Sequence, residues 1–305
     1  MAASTAPSPA QKEKAQHGES LFPLQRYGTT LSDSYPAVTA HWHEEAEFTM
    51  ITGGVCNYQI QSASYPAHPG DLLFIPPLVL HSITIETGGS MESETYVFHM
   101  NLLGASLPDS GSIRYLTPLA HQKLIPPFLL TVSHAAYPQA YDLFLAISDA
   151  YQNRPAGYEL LLKSYFLQLI ALLLPYCEAA DRQPPIEQEH TRKIKTVLAY
   201  IDRHYMDSLT VPQLAASCYF NEYYFMRIFK KYVGMSCLEY IKNVRLQKAA
   251  EAFLSGETSP LEVSLSAGFC NLSYFYREFK KKFGMTPKEF IEHPPTTFPV
   301  IQTGS

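Results

Sequence analysis

An internal repeat constrains this chain more than any other feature. The segment Asn221 to Ser236 returns fifty positions later as Asn271 to Thr286, with Tyr224, Phe225, Arg227, Phe229, Lys230, Lys231, Gly234 and Met235 all repeated. Upstream the offset falls to 49, so that Thr210 matches Ser259, Gln213 matches Glu262 and Phe220 matches Phe269. One residue has therefore been added in the second turn. Each copy has the anatomy of a helix-turn-helix unit. Thr210 with Gln213, and Ser259 with Glu262, are spaced as capping boxes, which satisfy the free N–H groups at a helix start. A short helix follows, then a turn near Phe220 or Phe269, and Asn221 or Asn271 can cap a second helix.

The 3.6-residue period divides each second helix into two faces. In the first unit Tyr224, Phe225, Ile228, Phe229 and Tyr232 turn inward, while Glu222, Tyr223, Met226, Arg227 and Lys230 lie opposite. The equivalent outer face of the second unit carries Leu272, Ser273, Tyr276, Arg277 and Lys280. A helix entering the major groove by its N-terminus would present these side chains to base edges, and arginine is suited to bidentate contact with guanine. The lysine runs at 230–231 and 280–282, Lys281 included, fall where phosphates would lie. Two solvated surfaces have no need of the same arginine at the same helix position, so the recurrence favours a reading role for Arg227 and Arg277. Their neighbours differ, Tyr223 against Ser273 and Met226 against Tyr276, which predicts that the two units read different bases. Between them, residues 237–254 read as one helix; at ~1.5 Å per residue it spans ~27 Å, a rod able to set two recognition helices in successive major-groove turns.

Charge agrees. Residues 1–188 carry a net −9 and residues 189–305 a net +4, an acidic front and a basic back suited to a polyanion. The five cysteines, Cys56, Cys177, Cys218, Cys237 and Cys270, are scattered without CxxC spacing, which argues against a disulfide framework and fits a reducing cytoplasm. The apolar run Tyr165 to Leu174 is interrupted by Gln168 and reads as too short to span a bilayer, so no membrane partner is expected.

The segment Gly268 to Pro287 resembles the signature of the AraC/XylS family of bacterial transcription regulators, and the resemblance covers Arg192 to His293. It implies a DNA-binding domain of two helix-turn-helix units that commonly activates transcription through contact with RNA polymerase. Two positions depart from the pattern. Tyr219 stands where the first turn often has glycine, and Ser264 where the second unit often has alanine.

Ahead of the repeat, residues 21–135 read as short strands between turn signals such as Gly53-Gly54, Pro69-Gly70 and Pro76-Pro77, a sandwich or barrel. His41, Trp42, His43 and Glu47, followed by Gly54, resemble the first motif of the cupin family. Gly70 through Pro76 to His81 resembles the second, with Leu78 where cupins usually have glycine. On one strand, residues 41, 43 and 47 share a parity and face the barrel interior; His81 joins them from a neighbour, and Trp42 faces out. Two readings stay open: the four residues bind a divalent metal such as Zn, Fe, Ni or Mn, or they contact a small-molecule effector directly with no metal. The resemblance to regulators with such sensors implies a small molecule such as a sugar and no metal. His68, His99 and His121 fall in no ligand spacing.

The expected fold is α+β. A disordered tail, 1–20, precedes a cupin-like barrel, 21–135, and a helical dimerisation segment, 136–180, whose helix from Tyr158 to Cys177 is apolar all round and should be largely buried. A linker, 181–190, leads to an all-α DNA-binding domain, 191–293, with a further tail, 294–305. The function expected is a cytoplasmic, homodimeric, sequence-specific regulator of transcription, an activator under the control of an effector in the barrel. Its partners are double-stranded DNA, the effector and RNA polymerase. The competing reading is a metal-dependent cupin enzyme with a fused helical tail.

Overall fold

The computed structural model describes residues 18–19, 21–33, 35–180 and 185–293, together with the backbone of 302–303. Most of both expected tails therefore lies outside the described residues. The front half folds as eight main strands: β1 (Leu24–Leu31), β2 (Ala37–His41), β3 (Glu45–Gly54), β4 (Cys56–Ile60), β5 (Ala63–Ala67), β6 (Leu72–Ile75), β7 (His81–Thr84) and β8 (Met91–His99). One sheet runs β6-β3-β8-β1, extended by short strands at Leu129–Leu130 and Gln302–Thr303; the other runs β2-β7-β4-β5, and the pairing is antiparallel throughout.

The larger sheet is buried on both faces, and its strands read accordingly. In β3, Ile51 joins Tyr58, Ile60, Leu73, Ile75 and Met91 in a core between the sheets. Its neighbours of opposite parity, Ala46 and Phe48, pack with Phe74, Phe98, Phe144, Phe166 and Leu169 under two helices, α1 (Tyr137–Asn153) and α2 (Tyr158–Leu173). Alternate residues thus serve two cores.

Four expectations need correction. Residues 100–120 are not strand: they form a 3-10 turn, a π turn and a short helical turn crossing one end of the barrel. The helix at 158 is not largely buried. It lies in a single layer on the sheet, so Leu162, Phe166, Leu169, Ile170 and Leu173 face the core while Leu160, 74% exposed, Leu161 and Leu167 face outward. With the turn that follows it, Tyr158–Tyr176 is also long and apolar enough, by length and composition alone, to cross a membrane, contrary to the estimate from the shorter run. Finally, residues 185–190 are not linker. Pro185 opens a helix, α3 (Pro185–His204), because proline is well suited to a first turn whose N–H groups lack partners anyway.

The back half is helical: α4 (Val211–Ser217), α5 (Glu222–Val233), α6 (Cys237–Leu254), α7 (Pro260–Ser266), α8 (Leu272–Phe283) and α9 (Pro287–Glu292). The caps follow the repeat. Asn221 accepts from the N–H of Tyr224 and Asn271 from that of Tyr274, both at 2.8 Å. Thr210 and Gln213 close a reciprocal capping box, whereas Ser259 makes only the forward half, to the N–H of Glu262. The two units have separate cores, one around Phe225, Phe229 and Tyr240, the other around Phe275, Phe279 and Phe290.

The turn that lacks glycine keeps the glycine conformation. Tyr219 has φ +58° and Gly268 φ +84°. Left-handed backbone costs a Cβ-bearing residue ~1 kcal/mol or more, and Tyr219, 91% exposed, recovers little by packing. Tyr219→Gly should therefore raise stability by about 0.5–1 kcal/mol in urea denaturation. Gly268→Ala should lower it, because a Cβ there would stand 2.8 Å from the carbonyl oxygen of Tyr205. Equal stability of Tyr219→Gly and the wild type would count against this account.

Candidate functional site

The expected convergence of His41, His43, Glu47 and His81 is present, reached by a different path. They do not lie on one strand. His41 ends β2, the chain bends at Glu44, Glu47 sits on β3, and His81 opens β7 directly opposite His41. One ligand atom from each of the four lies within 4.8 Å of the other three. His43, Glu47 and His81 are buried.

Each ring is oriented by its own backbone. The Nδ1 atoms of His41, His43 and His81 face the carbonyl oxygens of Thr39 at 2.8 Å, Glu45 at 3.0 Å and Val79 at 2.9 Å. A ring nitrogen against a carbonyl carries the proton, so each imidazole donates from Nδ1 and turns Nε2 toward its neighbours. The Nε2 atoms of His43 and His81 lie 2.8 and 3.6 Å from Oε1 of Glu47. Burial, with His81 and His43 adding to it, pushes the His41 imidazole down to about 3, so His41 is neutral. Burial opposes ionisation of Glu47, but His81 and His43 outweigh it and hold its carboxyl well below the usual range. The cluster is therefore a buried set of imidazole nitrogens around an anionic carboxylate, whose charge calls for a positive partner, either a proton on the neighbouring imidazoles or a bound cation. Beside it, Glu44, Leu78, His99 and His121 line part of a cleft of about 310 Å³. Sequence spacing gave no sign of His99 or His121, because the irregular 100–120 segment brings them together.

The outer side of the same wall was only half visible in the sequence. Trp42 does face outward, but it is 2% exposed: with Ala40 and Leu80 it enters the core of the first helix-turn-helix unit, against Ile194, Leu198 and Tyr240. The Tyr240 hydroxyl donates to the Ala40 carbonyl at 3.4 Å. Lys195 of α3 lies 5.3 Å from the centre of the Trp42 ring and donates to the Leu78 carbonyl, and burial lowers its amine to about 8. Leu78 itself has φ +63°, so the position where glycine is usual keeps the glycine backbone while its side chain packs into the first unit's core.

The two recognition helices expose most of the residues expected of them. Glu222, Tyr223, Met226, Arg227 and Lys230 on α5, and Leu272, Ser273, Arg277, Lys280 and Lys281 on α8, are all exposed. Tyr276 is half-buried against the second core. Arg227 lies 5.2 Å from the ring of Tyr224 and Arg277 5.0 Å from that of Tyr274, the same cation–π contact one turn back in each unit. Lys282 departs from the phosphate pattern, for it turns inward and donates to the Asn243 carbonyl at 3.1 Å. Glu278 escaped the sequence reading. It occupies the buried position that Ile228 fills in the first unit and pairs with Lys242 at 2.9 Å and Arg277 at 3.3 Å.

Comparison with known proteins agrees with both halves. Residues 25–170 match the model of the AraC-like ligand binding domain, and residues 214–293 match that of a helix-turn-helix domain. The HTH-type transcriptional regulator YdeC of Bacillus subtilis is 25% identical over 264 residues, 86% of this chain and 89% of its own. The melibiose operon regulatory protein of Escherichia coli is 23% identical over 238 residues, 76% of each chain. Among solved structures, ToxT of Vibrio cholerae aligns with 88% of this chain and 98% of its own at 13% identity and a TM-score of 0.43. The competing reading as a cupin enzyme finds no counterpart in the relatives that span both halves, which are named as regulators. This chain belongs to the AraC family of DNA-binding transcription regulators, and it carries the family's ligand-binding domain ahead of two helix-turn-helix units.

Proposed function

We propose that the protein is an effector-controlled activator that binds DNA as a homodimer, reading bases with Arg227 and Arg277. The observation that carries the reading role is the duplicated geometry: two capped helices, each with an exposed arginine packed on the tyrosine three residues before it. Stacking limits the arginine's rotamers before DNA arrives, which lowers the entropy cost of a bidentate contact. Glu222, Tyr223, Met226, Leu272, Ser273 and Tyr276 border the two arginines, and Lys230, Lys280 and Lys281 supply phosphate contacts. The effector is held by His41, His43, Glu47 and His81, whose wall is also the seat of the first unit. The ordinary role of such a regulator, placed beside a promoter in the cytoplasm, is to recruit RNA polymerase.

The homodimer rests on α2. Its outward leucines, Leu160, Leu161 and Leu167, make an apolar stripe on the sensor that a second copy would cover. The domain limits follow: a sensor barrel up to about residue 135, the α1–α2 hairpin as the dimer element, and the DNA-binding domain from Pro185.

Genome-wide mapping of bound sites would supply the operator. On it, Arg227→Ala and Arg277→Ala should each cost about 1–3 kcal/mol and relax base preference at one position. Lys230→Ala or Lys281→Ala should weaken all sequences alike and flatten the salt slope by about one unit for each phosphate no longer neutralised. Unchanged operator affinity in both arginine variants would remove the assigned reading face. Leu160→Asp with Leu167→Asp should convert a sedimenting dimer to monomer at micromolar concentration; a wild-type monomer under those conditions would exclude the α2 contact.

A further inference from the structure

The second helix-turn-helix unit carries a carboxylate where the first has none. Positions 228 and 278 are equivalent in the repeat and both are buried, one as Ile228 and the other as Glu278. A carboxylate is far costlier to bury than an isoleucine unless it is paired. Here both oxygens are used. Oε2 accepts from Nζ of Lys242 on the connecting helix at 2.9 Å, and Oε1 accepts from Nε of Arg277 at 3.3 Å. The bond to Lys242, with Arg277 adding to it, holds the carboxyl below its usual range although burial opposes ionisation. Adjacent residues on a helix point about 100° apart and do not ordinarily face each other. The contact therefore requires the Arg277 side chain to lie along α8, where it also meets the ring of Tyr274. The attachment of α8 does not rest on Glu278 alone. Phe275 and Phe279 pack it into the second core, and Lys282 ties it to the Asn243 carbonyl of the connecting helix. What Glu278 adds is a restraint on Arg277.

We propose that Glu278 is a specificity-determining residue: anchored by Lys242, it holds Arg277 back from bases that offer a single acceptor and yields it to the paired acceptors of guanine. This rests on the reading role proposed for Arg277. The physical basis is exchange. To reach a base edge, Arg277 gives up a charge-assisted hydrogen bond to the carboxylate. Guanine returns two bonds in the major groove, to O6 and N7. Adenine sets its N7 beside an N–H donor, and thymine offers one carbonyl oxygen beside a methyl group. A lone acceptor thus replaces one bond with one, and guanine alone leaves a gain. Discrimination is built by penalising the wrong partner as well as by favouring the right one. Arg227 has Ile228 beside it and, among the described residues, gives up no carboxylate when it meets DNA. The second unit is therefore the stricter reader.

The mapped operator carries the test. Arg277→Ala first identifies the base pair whose preference depends on Arg277. Full-length wild type, Glu278→Gln and Glu278→Ile, each checked for native circular dichroism, are then compared by fluorescence anisotropy on the operator and on duplexes altered at that pair. Discrimination against the altered duplexes should fall about 3- to 10-fold in Glu278→Ile, the worth of one hydrogen bond. Glu278→Gln, which still offers a neutral acceptor, should lose less. The base preference that depends on Arg227 should not move, and Glu278→Gln made on top of Arg277→Ala should change nothing at the identified pair. A carboxylate that merely braces α8 predicts something else, an equal loss of affinity on every duplex. A second measurement needs no change at position 278. In the free wild-type protein the Arg277 Nε–H, identified in NMR spectra by its loss in Arg277→Ala, should exchange with water more slowly than that of Arg227. Unchanged discrimination in both folded variants, a uniform loss on all duplexes, or equal exchange of the two Nε–H groups would overturn the role of Glu278 and leave Arg277 as a reader. Base preference that survives Arg277→Ala at every pair would remove the reading role, and the role of Glu278 with it.

Discussion

Between His41 and His43 the chain sends Trp42 to the opposite side of the barrel wall, into a core made mostly by the DNA-binding half. That placement follows from the two-residue period of extended chain, which gives neighbouring side chains to opposite faces. Alternate residues of the same short segments therefore line the site and form the seat. Nothing intervenes that could absorb a change: interiors are close-packed, and a wall filled on both sides transmits displacement. Trp42 is also among the largest fully buried side chains of the described residues. The position of the first helix-turn-helix unit and the arrangement inside the barrel are in this way two consequences of one packing.

Leu78 shows how the chain favours that junction over local comfort. Glycine would adopt φ +63° at no steric cost, and the cupin-like pattern has glycine there. Leucine accepts the strain of a left-handed backbone, ~1–2 kcal/mol, and places its side chain against the first unit's core. Tyr219 accepts the same strain with its ring in solvent, and nothing in the structure explains that choice. The contrast separates a strained position that obtains packing in return from one that does not.

Much of this was legible in the sequence, and the reasons differ by element. The helix joining the two units begins and ends where the pattern placed it, at Cys237 and Leu254, because Ser236 caps its start and Gly256 follows its end. The duplicated caps at Asn221 and Asn271 were equally plain, since local hydrogen bonds need only local sequence. The cluster's membership was legible while its path was not: parity predicts facing direction, but a bend at Glu44 requires knowledge of what the corner packs on. The single-layer packing of α2 was invisible for a related reason. An apolar helix states that it must be covered, and does not state whether its own chain or another copy covers it. Glu278 was missed because a charged residue in an amphipathic helix reads as surface, and its partner, Lys242, is 36 residues away.

The two units are alike in frame and unlike in restraint. Among the described residues, Arg227 is held by the ring of Tyr224, whereas Arg277 has both the ring of Tyr274 and the carboxylate of Glu278. Glu278 is fixed in turn by Lys242 of the connecting helix, so the second arginine is tied to the rod that spaces the units. A guanidinium already paired must exchange a carboxylate for a base edge, which lowers the net gain on binding, but it begins in a defined place. If both arginines read bases as proposed, the first gains more from DNA and begins less constrained. The first unit is also the one seated on the sensor wall, while the second is joined to the first through α6. On the proposed reading role, control exerted by the barrel reaches the less restrained arginine first, and the second unit is the fixed half of the grip.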